Sequence, residues 1–208
     1  MLADVEQENA PALLAARLRR LIGDVEGIEQ TVAGIVSHVR VEGDAAVDRY
    51  TRRFDTAGME PRELMVTPAE LDEALEAMPL EVVAGLQVAI ANVARVADAS
   101  VGPEQVRVEL AQGHTVTLRE LPVGAAAVYA PGGRAAYPST VVMGVVTARA
   151  AGVLDVAVCT PPGPDGQAHP AILAACRLCG VERVYRMGGA QAIAALAFGT
   201  ESVARVDV

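Results

Sequence analysis

From Gly124 onward, short apolar runs alternate with segments of helical character, and this alternation constrains the fold more than any other feature of the chain. Predicted strands and helices follow one another at 125–130, 139–151, 154–160, 170–179, 181–186 and 190–198. An apolar run at 205–208 indicates the start of a fourth strand, and because the chain stops inside it, we expect the sequence to be part of a longer protein. Strands joined by single helices form parallel sheets with right-handed crossovers.

The first half of the chain has a different pattern, in which helical periodicity dominates. Apolar residues recur at helical spacing over 10–21 and 28–39, and the segment 80–99 predicts a longer helix. Asp44 is the predicted N-cap of a helix over 45–54, and Thr67 with Glu70 predicts a capping box. A short strand is predicted at 63–66, and alternation around Gly113 predicts a β-hairpin over 106–110 and 115–121.

These patterns predict an α/β fold class with three parts. A helical amino-terminal segment covers residues 1–23, and a partial first α/β domain with the β-hairpin covers 24–121. Residues 122–208 form an incomplete Rossmann-like domain with a parallel sheet.

Charge and apolar content restrict the partners. The formal net charge is −9, with 26 acidic and 17 basic residues, which disfavours nucleic-acid binding. The short basic clusters at 17–20 and 52–53 are interpreted as solvated helix faces. Acidic residues near the amino terminus argue against a signal peptide, and Arg149 and Asp155 interrupt the longest apolar region, 141–160. The predicted location is the cytoplasm, with no membrane partner.

Neither the cysteines nor the histidines form a pattern that predicts a site. Cys176 and Cys179 are spaced as C-x-x-C, but no further ligands at zinc-site spacing follow, so these thiols and Cys159 are predicted to be buried or half-buried. The three histidines, His38, His114 and His169, do not suggest a catalytic triad and are predicted to lie at the surface.

Glycine-rich junctions follow each predicted strand, at 131–133, 161–166 and 187–189. In a parallel sheet these loops share the carboxyl edge, where ligands bind. Gly188 and Gly189 lead into a helix whose unpaired N–H groups attract anions, and Gln191 lies in its first turn. The G-x-G-x-x-G fingerprint is missing, and any single Gly-Gly pair is better explained as a tight turn. Two such junctions on one edge favour a ligand site, which Tyr129 would border unless it is a core residue.

Three stretches are similar to a known family. The segments YAPGGRAAYPSTVVMGVVTARAAGV, CTPPGPDG and YRMGGAQAIAALAFGTESVARVD closely resemble histidinol dehydrogenase. The resemblance is strong over 122–208 and looser over 24–121, where DAAVDRYTRRFD and the hairpin around Gly113 fit the family.

The resemblance implies a zinc- and NAD-dependent alcohol dehydrogenase that oxidises L-histidinol to L-histidine through the aldehyde, with two NAD, in histidine biosynthesis. It implies a cytoplasmic homodimer. Tyr129 and Gln191 match NAD-contacting positions of the family. The cofactor-binding candidates are therefore Tyr129, Gln191, Gly132, Gly133, Gly188 and Gly189.

The resemblance also places the zinc ligands and the Glu–His pair that moves protons beyond Val208. We therefore assign no catalytic or metal residue in this chain and expect the 208 residues alone to be inactive. The first domain of the family is completed by a later segment, so exposed apolar surface is expected within 24–121. Two alternatives remain: a related NAD-dependent dehydrogenase of another small alcohol, and a non-catalytic nucleotide-binding module of the same fold.

Overall fold

The computed structural model describes residues 15, 25–60, 62–132 and 135–208. The helix predicted over 10–21 and the candidate Gly133 lie outside the described residues, apart from Ala15. The helices are α1 (Val25–Glu42), α2 (Asp44–Phe54), α3 (Pro68–Glu76), α4 (Leu80–Ser100), α5 (Pro138–Ala150), α6 (Pro170–Leu178) and α7 (Gly189–Phe198). The strands are β1 (Gln105–Glu109), β2 (Thr115–Arg119), β3 (Ala125–Tyr129), β4 (Asp155–Thr160) and β5 (Arg183–Arg186).

Strands β3, β4 and β5 form a parallel sheet in that order, which confirms the predicted α/β class. Alanine and valine dominate β3 and β4, as expected of strands with helices on both faces. The hairpin β1–β2 pairs antiparallel, with Gln105 opposite Arg119.

Irregular segments extend the sheet at both edges. Met65 bridges antiparallel to Tyr185 of β5, so the predicted strand at 63–66 is present as a short edge segment. On the other side, Asp207 N–H donates to the Ala125 carbonyl over 2.9 Å, and Ala127 N–H donates to the Val208 carbonyl over 2.8 Å. The predicted fourth strand thus begins beside β3 without forming a regular strand.

Helices cover both faces of the sheet because successive strand residues point to opposite sides. On one face, Val156, Val158 and Val184 pack against the buried residues of α3 to α6. On the other face, Ala157, Cys159 and Tyr185 pack against α1, α2 and α7. Residues before 101 and after 124 therefore contribute to the same two hydrophobic clusters.

The start of α2 differs from the prediction, because Gly43 and not Asp44 is the N-cap. The backbone N–H of Asp44 donates over 2.9 Å to the carboxylate of Glu201, which lies just after α7. A distant side chain thus satisfies a helix-start donor that the sequence pattern had assigned to a local cap. The capping box of Thr67 and Glu70 at α3 is present as predicted.

The hairpin and α4 expose apolar side chains. Both hairpin strands are exposed along their whole length, and Leu118 retains 58% of its accessible surface. Helix α4 is long and apolar enough to cross a membrane by length and composition alone, a test that core helices also pass. Here it packs along α5. Exposed apolar surface is therefore found within 24–121, as expected.

Candidate functional site

The ends of β3 and β5 meet at their carboxyl edge through Tyr129. Tyr129 is the last residue of β3, and its hydroxyl accepts a 3.3 Å hydrogen bond from the backbone N–H of Gly189, the first residue of α7. Strand β4 lies between β3 and β5, so the half-buried tyrosine side chain spans the end of the central strand. Two of the predicted junctions are thus brought together.

Gly188 and Gly189 are both required by the local backbone. An added Cβ on Gly188 would lie 2.5 Å from Cβ of Pro161, because the loops after β4 and β5 pack closely. Gly189 has φ of +60°, and an added Cβ would lie 2.7 Å from Oε1 of Gln191. The pair therefore allows a tight entry into α7.

Gln191 lies in the first turn of α7 but is buried, with 1% of its surface exposed. Its Nε2 donates over 3.5 Å to Oδ2 of Asp55, the residue that follows α2. Its Oε1 is buried without a hydrogen-bond partner among the described residues. A buried amide oxygen without a partner carries a free-energy penalty, which a ligand that donates a hydrogen bond would relieve.

Asp55 is the functional candidate that sequence reasoning missed as an individual residue. Burial away from water raises the pKa of its carboxyl to about 6. Its sequence neighbourhood, RRFD, resembles the family, but no local spacing connects it with Gln191, which lies 136 residues away. Only the packing of α2 against the start of α7 reveals the pair.

The first glycine junction lies against the end of β4. A Cβ on Gly132 would lie 2.7 Å from Oγ1 of Thr160, a second buried polar atom that lacks a partner in the part of the chain that the structure describes. Beside this edge, Tyr129 also borders a groove of about 330 Å³ between β3, α7 and residues 205–208. Tyr129 thus borders both this groove and the edge that holds the two polar atoms that are unpaired among the described residues.

The described residues hold no candidate metal site. Within the described ranges, no group of three or more His, Cys, Asp or Glu side chains could hold a metal ion. All three cysteines are free and buried, as predicted, and burial raises the pKa of the Cys159 thiol to about 12. Two of the three histidines have structural contacts: His38 Nδ1 lies 2.6 Å from the Tyr50 hydroxyl, and His169 Nδ1 accepts a hydrogen bond from the N–H of Ala171.

Comparison with known proteins gives a consistent result. Residues 18–208 match the family model described as histidinol dehydrogenase. The curated histidinol dehydrogenase of Parasynechococcus marenigrum is 44% identical over 204 residues, covering 98% of this chain and 46% of the relative. The one from Methanosarcina mazei is 41% identical over 195 residues, covering 92% and 45% respectively.

A solved structure supports the fold. The crystal structure of histidinol dehydrogenase from Elizabethkingia anophelis matches with a TM-score of 0.81 and 30% identity, covering 89% of this chain and 42% of that chain. The chain therefore spans about half the length of the curated relatives that it matches.

Proposed function

The chain belongs to the histidinol dehydrogenase family, and on that premise we propose that it supplies the NAD-binding part of an enzyme that oxidises L-histidinol to L-histidine. In this proposal residues 122–208 are the NAD-binding domain, and 24–121 are part of a first α/β domain whose helices α1 to α4 pack on the sheet of 122–208. The enzyme acts in histidine biosynthesis as a cytoplasmic homodimer whose ligands are small molecules, with no nucleic-acid or membrane partner.

The observation that carries the proposal is the convergence of Tyr129, Gly189 and Gln191 at one edge of the sheet. The Tyr129 hydroxyl accepts from Gly189, so its own hydrogen is available to a ligand. Gln191 offers a buried acceptor without a partner among the residues described, and Gly132, Gly188 and Gly189 let the loops at this edge pack closely around it. These features fit NAD, a ligand with several hydroxyl groups and an anionic pyrophosphate.

The proposed reaction comprises two oxidations. In each, the carbon that carries oxygen loses a hydride and the oxygen loses a proton, first from the alcohol and then from the hydrated aldehyde. NAD, when bound, accepts one hydride in each oxidation. The part of this chain is to bind and orient: Tyr129 and Gln191 contact the cofactor, and the first turn of α7 attracts its negative charge.

Zinc does not fit the described residues, because no cluster among them offers three ligands. No step through zinc is derived from them. In the proposal, both the zinc ligands and the proton-transfer groups come from residues after Val208. Each missing proton-transfer group would be expected to contribute about 10²–10⁴-fold to the rate.

Titration of the purified chain with NADH, followed by cofactor fluorescence, tests the cofactor assignment. Gln191→Ala should weaken binding about five-fold, the effect of one lost neutral hydrogen bond. Gln87→Ala, an exposed glutamine on α4, is the matched control and should bind as the parent does. Equal affinities for all three proteins would refute the assignment.

Activity gives a second test. The 208-residue chain, with or without added zinc, should form no NADH from L-histidinol, whereas a full-length relative should form it readily. Turnover by this chain comparable to that of the relative would show that the catalytic groups lie within it.

A further inference from the structure

Asp55 meets Gln191 where α2 ends beside the start of α7. Gln191 Nε2 donates to Asp55 Oδ2 over 3.5 Å, and the glutamine is almost completely buried. An amide side chain has a donor end and an acceptor end of nearly the same shape, so its surroundings decide which end points where. At this position the decisive neighbour is a carboxyl group.

A carboxylate can only accept hydrogen bonds, which fixes the orientation of the amide. With Nε2 turned toward Asp55, Oε1 lies at the entry of α7, close to Gly189, and has no hydrogen-bond partner in the described ranges. The opposite orientation would place two acceptors, Oε1 and the Asp55 carboxylate, against each other. Asp55 therefore selects the orientation of the Gln191 amide in which Oε1, a hydrogen-bond acceptor, lies at the start of α7.

We propose that Asp55 is a positioning residue that holds the Gln191 amide with its oxygen toward the bound cofactor, and that this oxygen receives a hydrogen bond from a hydroxyl or N–H group of NAD. The inference rests on the proposed function. It assigns the polarity of the contact: a phosphate oxygen, which only accepts, cannot pair with Oε1, whereas a ribose hydroxyl or an amide N–H can.

The charge state of Asp55 determines how strongly it selects this orientation. The pKa of its carboxyl is raised to about 6 by burial. Below that pH the protonated carboxyl can donate to Oε1 and stabilise the reversed amide, so the selection weakens. The charged residues of α2 nearest to it in sequence are Arg52, bonded to Asp48 and Glu60, and Arg53, which lies over the Phe54 ring. Helix α1, which packs on both α2 and α7, carries His38, in contact with Tyr50, Arg40, which lies over the Phe198 ring, and Glu42, which pairs with Arg49. Helix α7, on the other side, carries no charged residue.

Side-chain amide NMR of the 208-residue chain tests the contact without any cofactor. The Gln191 Nε2 resonances, assigned by comparison with Gln191→Ala, should shift between pH 5 and 8 with a midpoint near 6, the pKa of the Asp55 carboxyl. They should be independent of pH in Asp55→Asn. Asp48→Asn, which removes a half-exposed carboxylate from the same helix, should titrate as the parent does.

NADH affinity tests the consequence. Asparagine can donate as well as accept, so Asp55→Asn should weaken binding at pH 7.5 by about 3- to 10-fold, and Asp48→Asn should not. The affinity of the parent should fall below pH 6, whereas that of Asp55→Asn should lack this step. A role confined to stability would leave both the affinity of the folded variant and its pH profile unchanged.

The outcomes separate this inference from the proposed function. Gln191 resonances that do not titrate in the parent chain would overturn the inference, and this measurement does not depend on the folding of any Asp55 variant. The inference would also be overturned if the Gln191 resonances titrated in the parent but Asp55→Asn bound NADH as tightly as the parent does. Titrating resonances in a parent that does not bind NADH would overturn both, and would identify the cofactor assignment, rather than the contact between the side chains, as the error.

Discussion

The hydroxyl group of Tyr129 accepts a hydrogen bond from the first backbone N–H of α7, at Gly189, across 60 residues of sequence. The contact joins the carboxyl ends of β3 and β5 over the end of β4. It occupies one of the helix-start donors that would otherwise lack an intrahelical partner. Tyr129 therefore links the sheet edge to the helix and orients its own hydroxyl hydrogen at the same time.

Replacing Tyr129 with Phe should weaken NADH binding by about 1 kcal/mol, because the ring remains while the hydroxyl is lost. Fluorescence titration measures the change. Tyr50→Phe is the matched control, since it removes a hydroxyl that contacts His38. Both variants should lose a little stability, but only Tyr129→Phe should lose affinity. Equal affinity in the two variants would exclude a cofactor contact for Tyr129.

Gly189→Ala should lower the free energy of unfolding by at least ~1–2 kcal/mol, because φ at this position is +60° and a Cβ is unfavourable there. The added carbon would also press on Gln191 Oε1, so NADH affinity should fall as well. Urea unfolding followed by circular dichroism gives the stability.

Gly85→Ala is the control for that substitution. Gly85 lies inside α4 with open space around it, so alanine there should stabilise the helix by about 0.5–1 kcal/mol. If both substitutions changed the free energy of unfolding in the same direction, the argument from backbone conformation at Gly189 would be wrong.

The ion pair of Glu70 with Arg186 predicts a stability that falls at acid pH. Burial alone would raise the pKa of the Glu70 carboxyl, but hydrogen bonds from Arg186 and Thr67 outweigh it and lower the pKa to about 2. The unfolded state therefore binds more protons between its own pKa and about 2. The contribution of Glu70 is complete above the ordinary pKa of 4.5 and is lost as pH falls toward 2.

Urea unfolding between pH 6 and 3 measures this effect. Glu70→Gln should have a lower midpoint at pH 6 and a smaller loss on acidification than the parent. Glu73→Gln, exposed on the same helix, should follow the parent curve. A Glu70→Gln curve that runs parallel to the parent would contradict the linkage.

The Asp55 carboxyl predicts that protein stability depends on pH in the opposite direction. Its folded pKa is raised from 3.8 to about 6, so the folded state binds more protons and loses stability as pH rises between these values. Asp55→Asn should therefore gain stability relative to the parent as pH increases from 4 to 7, although at pH 7.5 it should bind NADH more weakly than the parent does. If the difference in stability between Asp55→Asn and the parent stayed constant over this range, burial would not disfavour the ionised form of the Asp55 carboxyl.

Local patterns in the sequence predicted the elements well. Alternating apolar runs located β3, β4, β5 and their helices to within a few residues, and Thr67 with Glu70 marked the start of α3. These features depend on near neighbours in the chain, such as periodicity and capping, so they are visible in the sequence.

Contacts between distant residues could not be predicted in the same way. Glu201 bonds to the N–H of Asp44 from 157 residues away, and Asp55 reaches Gln191 over 136 residues. The sequence placed Gln191 in the first turn of a helix at the ligand edge, but it did not show that packing buries the side chain and leaves one amide atom without a partner among the described residues. Such relationships arise only when helices dock on the sheet, which local spacing does not encode.

The order of the sheet has a consequence for synthesis of the protein. Strand β3 leaves the ribosome before both of its neighbours, β4 on one side and residues 207–208 on the other. At about 5–20 residues per second, β3 waits on the order of ten seconds before residues 207 and 208 are made. Three of its five residues are alanine, which has a weak tendency to form strands. The nascent segment is therefore poorly suited to pair with another chain before its own partners arrive.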